Sequence, residues 1–155
     1  MPTPTIGRSA PWPTGITDQD GRSVDLARHR GEHVLLYFYP KDDTPGCTVE
    51  ACGFRDHLAE VGAVVYGVSL DDAASHRAFI AKHHLPFSLL VDAGRTLATA
   101  YGVLPEGSSY PARSSFLIAP DGRLVRIWPT VKPDGHWQEV RQAVRDGGSA
   151  GRAKG

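Results

Sequence analysis

Neither sign of charge is in excess in this 155-residue chain: 17 Lys and Arg balance 17 Asp and Glu, and the sequence pI is about 7.1. Without a basic face or a high pI, a nucleic-acid binder is not expected, and neither is a polybasic membrane anchor. Long hydrophobic runs are missing as well. The longest, Val34–Tyr39 and Ala63–Val68, fall far short of the ~18 residues that suggest a membrane span. The N-terminal Met-Pro-Thr-Pro-Thr-Ile-Gly-Arg has no charged segment leading into an apolar one, so it does not read as a secretory leader. A cytoplasmic protein is the expectation. Cysteine is scarce, with two in the whole chain. In a reducing compartment a lasting structural disulfide does not form, and two thiols outside a C-x-x-C spacing do not make a zinc ribbon. Reactive thiol chemistry is what remains to be weighed.

The residues that are present read as one domain, which suits the length. A chain of this size buries roughly two-thirds of its unfolded surface without needing a disulfide or a metal. Residues 1–8 form an extended lead-in, 9–145 carry the domain, and 146–155, rich in Gly, Ser and basic residues, read as a disordered tail.

Inside the domain the hydrophobic period alternates. Asp20-Gly21, between Ile16–Thr17 and Val24–Leu26, predicts an N-terminal β-hairpin. Val34–Tyr39 is a continuous apolar run, as a strand buried on both faces requires. After Pro40 and a polar loop, Cys47, Ala51, Phe54, Leu58 and Val61 fall on one face of a helix running from about Cys47 to Val61. Ala63–Ser69 is a second buried strand, and Asp71-Asp72 begin a helix that runs to about His84. Next come a strand at Ser88–Val91, a short helix at Arg95–Tyr101, and strands Ser114–Ala119 and Arg123–Trp128 joined by a turn. A last helix, Asp134 to Arg145, is expected to bury Trp137, Val140 and Val144. The pattern gives an α/β fold with a central mixed β-sheet flanked by helices.

Pro40-x-x-x-Thr44-x-x-Cys47 places a thiol in the first turn of a helix that follows a buried strand. Unpaired amides and the dipole at that helix end favour an anion. An ordinary cysteine is only a few per cent ionised at pH 7, and making thiolate the main form takes about 3 kcal/mol. A helix terminus supplies ~0.3–1 kcal/mol, up to ~2 in favourable geometry. A second cationic group is therefore needed. Arg113, at the start of a strand, is the candidate, with Thr44 offering a hydroxyl nearby. Thr44 has a blander reading as a helix cap, Pro40 as a strand terminator, and Glu50 as either a surface residue or the partner that orients an arginine.

Cys52 follows Cys47 by five residues. On an intact helix that spacing means ~500° of rotation and about 8.7 Å between Cα atoms, whereas a disulfide needs them within roughly 7 Å. A bond between the two would require the first helical turn to unwind.

The run from Tyr37 through Phe-Tyr-Pro-Lys-Asp-Asp-Thr-Pro-Gly-Cys-Thr-Val-Glu-Ala to Cys52 resembles the active-site segment of peroxiredoxins. Within them it is most similar to the bacterioferritin-comigratory-protein, or Q-type, branch. Asp18–Gly21, Arg113–Ile118 and Val131–His136 agree, so the resemblance spans about residues 9–145. Ser115 departs from it, standing where Thr is common, and so does the loop 104–112. The resemblance implies a thioredoxin-like fold and a peroxide-reducing enzyme with no cofactor and no metal. It makes Cys47 the peroxidatic cysteine, with Thr44 and Arg113 holding the peroxide and Pro40 shielding the pocket. Cys52 becomes the resolving cysteine in an intramolecular disulfide, which a thioredoxin-type protein reduces. A monomer or weak dimer is expected.

Two other classes fit the sequence less well. A general thiol–disulfide oxidoreductase of this fold normally carries C-x-x-C. A copper or zinc carrier needs a cysteine pair beside a histidine, and the seven histidines are scattered, with His57 stepping away from both cysteines around the helix.

Overall fold

The computed structural model describes residues 4–148. Six strands form one sheet: β1 (Thr17–Asp18), β2 (Val34–Phe38), β3 (Val64–Ser69), β4 (Ser88–Val91), β5 (Ser114–Ile118) and β6 (Leu124–Trp128). Their order is β1-β4-β3-β2-β5-β6, parallel across β2–β3 and β3–β4 and antiparallel elsewhere. The helices are α1 (Pro45–Val61), α2 (Ala73–His83), α3 (Thr96–Ala100) and α4 (His136–Gly148). Among the described residues no helix is long and apolar enough to cross a membrane.

The continuous apolar run of β2 is explained by its central place, since it is buried at every residue. Its side chains alternate between two cores. Val34, Leu36 and Phe38 join Leu97, Ala98, Ala100 and Phe116 on the α3 face. Leu35 and Tyr37 join Ala51 and Phe54 of α1, Phe79 of α2 and Val140 of α4 on the other. Gly67 of β3 is part of this second core by necessity. A Cβ there would sit 2.7 Å from Leu89 and 2.9 Å from the Tyr37 ring and hydroxyl, so only glycine lets Tyr37 lie across the strand.

Some boundaries differ from the sequence reading, each for a local reason. The N-terminal hairpin is present but reduced. The chain does turn back, with Asp18 N–H donating to Arg22 O and Val24 N–H to Ile16 O. However, β1 has only two residues, and its strand partner is β4. The Asp18 carboxylate accepts the amides of Asp20 and Arg22, and Asp25 caps a 3-10 turn at Leu26–His29, which takes the returning arm out of the sheet. Helix α1 starts two residues early, because Thr44 is extended and Pro45 is preset for the first helical position. Helix α4 buries His136, Val140 and Ala143, leaving Trp137 and Val144 half-buried. It also continues through Gly148, so residues 146–148 are helical where a tail was expected. The rest of that tail, 149–155, lies outside the described residues, as do residues 1–3.

Candidate active site

Pro40, half-buried, turns the chain from the C-terminal end of β2 into the loop Lys41-Asp42-Asp43-Thr44. Thr44 occupies the N-cap position of α1 with extended φ and ψ, yet its side chain caps nothing. Its hydroxyl donates instead to Lys41 O at 3.0 Å. The amides of Gly46 and Cys47 belong to the first turn, where no intrahelical acceptor exists. Cys47, the third helical residue, is 1% exposed.

Arg113 reaches this turn through the sheet. Antiparallel pairing sets Ser114 of β5 opposite Phe38 of β2, so the residue just before β5 arrives where β2 ends. Its Nη2 lies 3.4 Å from Cys47 Sγ, and its Nη1 donates to Glu50 Oε1 at 2.9 Å. Cys47 and Glu50 are one helical turn apart, so a single guanidinium bridges both. Gly46 makes this approach possible, because a Cβ there would lie 2.9 Å from Nη2.

Glu50 is therefore the arginine's partner and not a surface residue. Its side chain is fully buried, and its second oxygen, Oε2, has no hydrogen-bond partner. Burial pushes its carboxyl up to about 7 against the opposing pull of Arg113. For Arg113, burial works to lower the proton affinity, but the charges and hydrogen bonds of Cys47 and Glu50 outweigh it and hold the guanidinium above its ordinary range. The raised carboxyl has a consequence for stability. The folded state keeps a proton on Glu50 that the unfolded chain has already lost near pH 4.5. Stability from this group is complete below that pH and declines as pH rises through about 7, by about 3 kcal/mol in all. Denaturant unfolding of the reduced protein at several pH values should show the decline, and Glu50→Gln should remove it; equal slopes would contradict it.

Cys52 is half-buried, and both cysteines are free thiols. The backbone of α1 is regular from one to the other, and its single non-helical residue is His57. The site is thus seen in its fully helical form.

Two groups around the site escaped the sequence reading. The Tyr37 hydroxyl is buried without a partner, and burial together with the nearby charges of Glu50 and Cys47 raises its proton affinity well above normal. An aromatic inside an apolar strand carries no sequence signal of such a position. The second is a buried network behind the loop. Asp42 accepts from Tyr39 Oη at 2.5 Å, from Ser75 Oγ at 2.8 Å, and meets His76 Nδ1 at 2.7 Å. The other ring nitrogen of His76 faces Leu90 O at 2.8 Å, and the Asp42 amide donates to Asp71. Asp42, Asp71 and His76 are metal-type donors, but here they are engaged in hydrogen bonds that tie the loop before Cys47 to α2 and the sheet. In the sequence Asp42 reads as loop polarity, Asp71 as a helix start and His76 as one histidine among seven. Ser115, the departure from the family pattern, meets His136 Nε2 at 2.8 Å.

Comparison with known proteins gives the chain's family. The profile of the AhpC/TSA family matches residues 6–127. A putative peroxiredoxin bcp of Coxiella burnetii is 46% identical over 144 residues, which is 87% of this chain and 95% of the relative. Peroxiredoxin Bcp of Bacillus subtilis is 44% identical over 150 residues, 91% and 95% of the two chains. Among solved structures, the bacterioferritin comigratory protein of Xanthomonas campestris, described for its alkyl peroxide reduction activity, superposes with a TM-score of 0.81 at 34% identity, covering 91% of this chain and 98% of that one. A thioredoxin-fold sheet with a cysteine, an arginine and a second cysteine in this arrangement has a clear family context: the chain belongs to the AhpC/TSA family and is a peroxiredoxin of the Bcp, or Q, type.

Proposed function

We propose that Cys47 is the peroxidatic cysteine and Cys52 the resolving one. The observation that carries this reading is the Arg113 guanidinium 3.4 Å from Cys47 Sγ, fixed there by buried Glu50. In the first step the Cys47 thiolate attacks the terminal oxygen of a hydroperoxide. An S–O bond forms and the O–O bond breaks, oxidising sulfur by two electrons to sulfenic acid while the leaving oxygen departs protonated as water or an alcohol. Arg113 donates to the peroxide oxygens as charge builds on them. Thr44 has its proton committed to Lys41 O, so its oxygen is an acceptor for the hydroperoxide O–H. Pro40, half-buried at the turn before the loop, shields the sulfenic acid from water. The Cys52 thiol then displaces water from the sulfenic acid to give the disulfide, and a thioredoxin-type dithiol reduces it.

Hydrogen peroxide and organic hydroperoxides are the substrate class, in keeping with the alkyl peroxide activity of the Xanthomonas campestris relative. Both cysteines lie on α1, so the cycle needs no second chain, and a monomer or weak dimer suffices. Continuous supply of a protein dithiol fits a cytoplasmic location.

Intact mass after one equivalent of hydrogen peroxide tests these roles. Wild type should lose two hydrogens, Cys52→Ser should gain one oxygen, and Cys47→Ser should stay unchanged. Oxidation of Cys47→Ser at the wild-type rate would overturn the peroxidatic assignment.

A further inference from the structure

We infer that Glu50 stores, in the resting protein, the proton that the peroxide's leaving oxygen requires, and releases it when Cys47 is oxidised. The inference rests on the peroxidatic role proposed for Cys47. Its structural basis is a count of charges: one guanidinium touches both Cys47 Sγ and Glu50 Oε1, and both residues are 1% exposed. A thiolate and a carboxylate together under one cation would leave a net negative charge in the core, where uncompensated charge is most costly. The unpartnered Oε2 points the same way, since an unpaired buried oxygen is cheaper on a neutral carboxyl than on a carboxylate. If Cys47 is the attacking thiolate of the proposed reaction, the single guanidinium it shares with Glu50 is balanced when Glu50 is the neutral acid. Burial of Glu50 favours the same form.

Oxidation removes the charge from sulfur and leaves Glu50 as the anionic partner of Arg113. The step balances as Cys47–S⁻ plus Glu50–COOH plus ROOH giving Cys47–SOH, Glu50–COO⁻ and ROH. The S–O bond forms, the O–O bond breaks, and the alkoxide takes the carboxyl proton. Other groups at the site are poor sources of that proton. Tyr37 on β2 holds its own well above the normal range, Arg113 does so on the β5 side, and Cys52 on α1 is needed as a thiol for the next step. On α4, His136 is engaged with Glu139 and Ser115, and burial lowers its proton affinity.

The test uses Cys52→Ser, which stops at the sulfenic acid, mixed with hydrogen peroxide near pH 6.5 in weak buffer with a pH indicator. Protons taken from solution are counted per oxygen gained in the intact mass of the same sample. Close to none is expected for Cys52→Ser, and about one for Cys52→Ser with Glu50→Gln. Infrared difference spectra of Cys52→Ser should also show the stretch of a neutral carboxyl disappearing on oxidation, a signal that needs no second variant. The same proton count in both proteins, or no loss of a carboxyl band, would overturn the inference. If Cys47 gains no oxygen, it is the peroxidatic reading that has failed.

Discussion

Arg113→Met is expected to react with hydrogen peroxide about 100- to 1,000-fold more slowly than wild type, the usual loss when one preorganised donor is taken from a developing charge. The guanidinium is 3.4 Å from the sulfur and only 18% exposed, so water does not readily take its place. The substitution also strips Glu50 of its one hydrogen-bond partner. Breaking a buried pair costs about 3–5 kcal/mol when the surviving charge stays in place. Glu50, already pushed up to about 7, has a way out by keeping its proton. The stability loss should therefore be small in mild acid and grow as the pH rises toward 8. Adding Glu50→Gln to Arg113→Met should remove that growth without restoring the rate. Stopped-flow oxidation and denaturant unfolding on the two variants separate these effects. A rate within threefold of wild type would mean that Arg113 serves structure and not the reaction.

The legible parts of this molecule were those with a strong local signal. Val34–Tyr39 announced the central strand because burial on both faces demands an unbroken apolar run. The face shared by Cys47, Ala51, Phe54, Leu58 and Val61 announced α1, although its start lies at Pro45, where a proline needs no amide partner. Arg113 was found by the need for a second cation, and the β2–β5 register supplies the contact. The hairpin was legible as a turn but not as a strand pair, because the choice of β4 as partner depends on tertiary packing. Glu50 was visible with two readings, and what separates them is the side of α1 that Arg113 occupies, a fact of the sheet and not of the helix. The Asp42–His76 contact joins residues 34 positions apart, and no local pattern encodes it. In α4, Trp137 looked like core but stacks on His57 at 3.5 Å with Arg141 over its ring, a rim position that an amphipathic count cannot tell from the interior.

That rim also bears on what the proposed Cys47–Cys52 disulfide does to α1. Oxidation by one equivalent of peroxide is expected to abolish amide-exchange protection over about residues 46–55, while β2 and the end of α1 keep theirs. The backbone between Cys47 and Cys52 is regular helix, which sets their Cα atoms about 8.7 Å apart, beyond the roughly 7 Å limit for a disulfide. The intervening turn has to open, and Glu50, Ala51 and Phe54, all buried, lose their seats as it does. Phe54 leaves rings of Tyr37 and His136 with centroids 5.1 and 5.9 Å away, so burial worth about 1.5–3 kcal/mol for such a side chain is at stake. Unwinding should stop at His57. The helix is already interrupted there, with φ −126° and ψ 21°, and the ring is held against Trp137, whose partner Arg141 also meets Glu60. Trp137 packs beside Gly53, 3.2 Å from where a Cβ would be, so its fluorescence should change with the same rate constant as disulfide formation. Hydrogen exchange on the reduced and oxidised protein gives the direct answer. Unchanged protection across 46–55 in protein shown by mass to carry the bond would falsify the unwinding, because a helix left intact cannot bring these two sulfurs together.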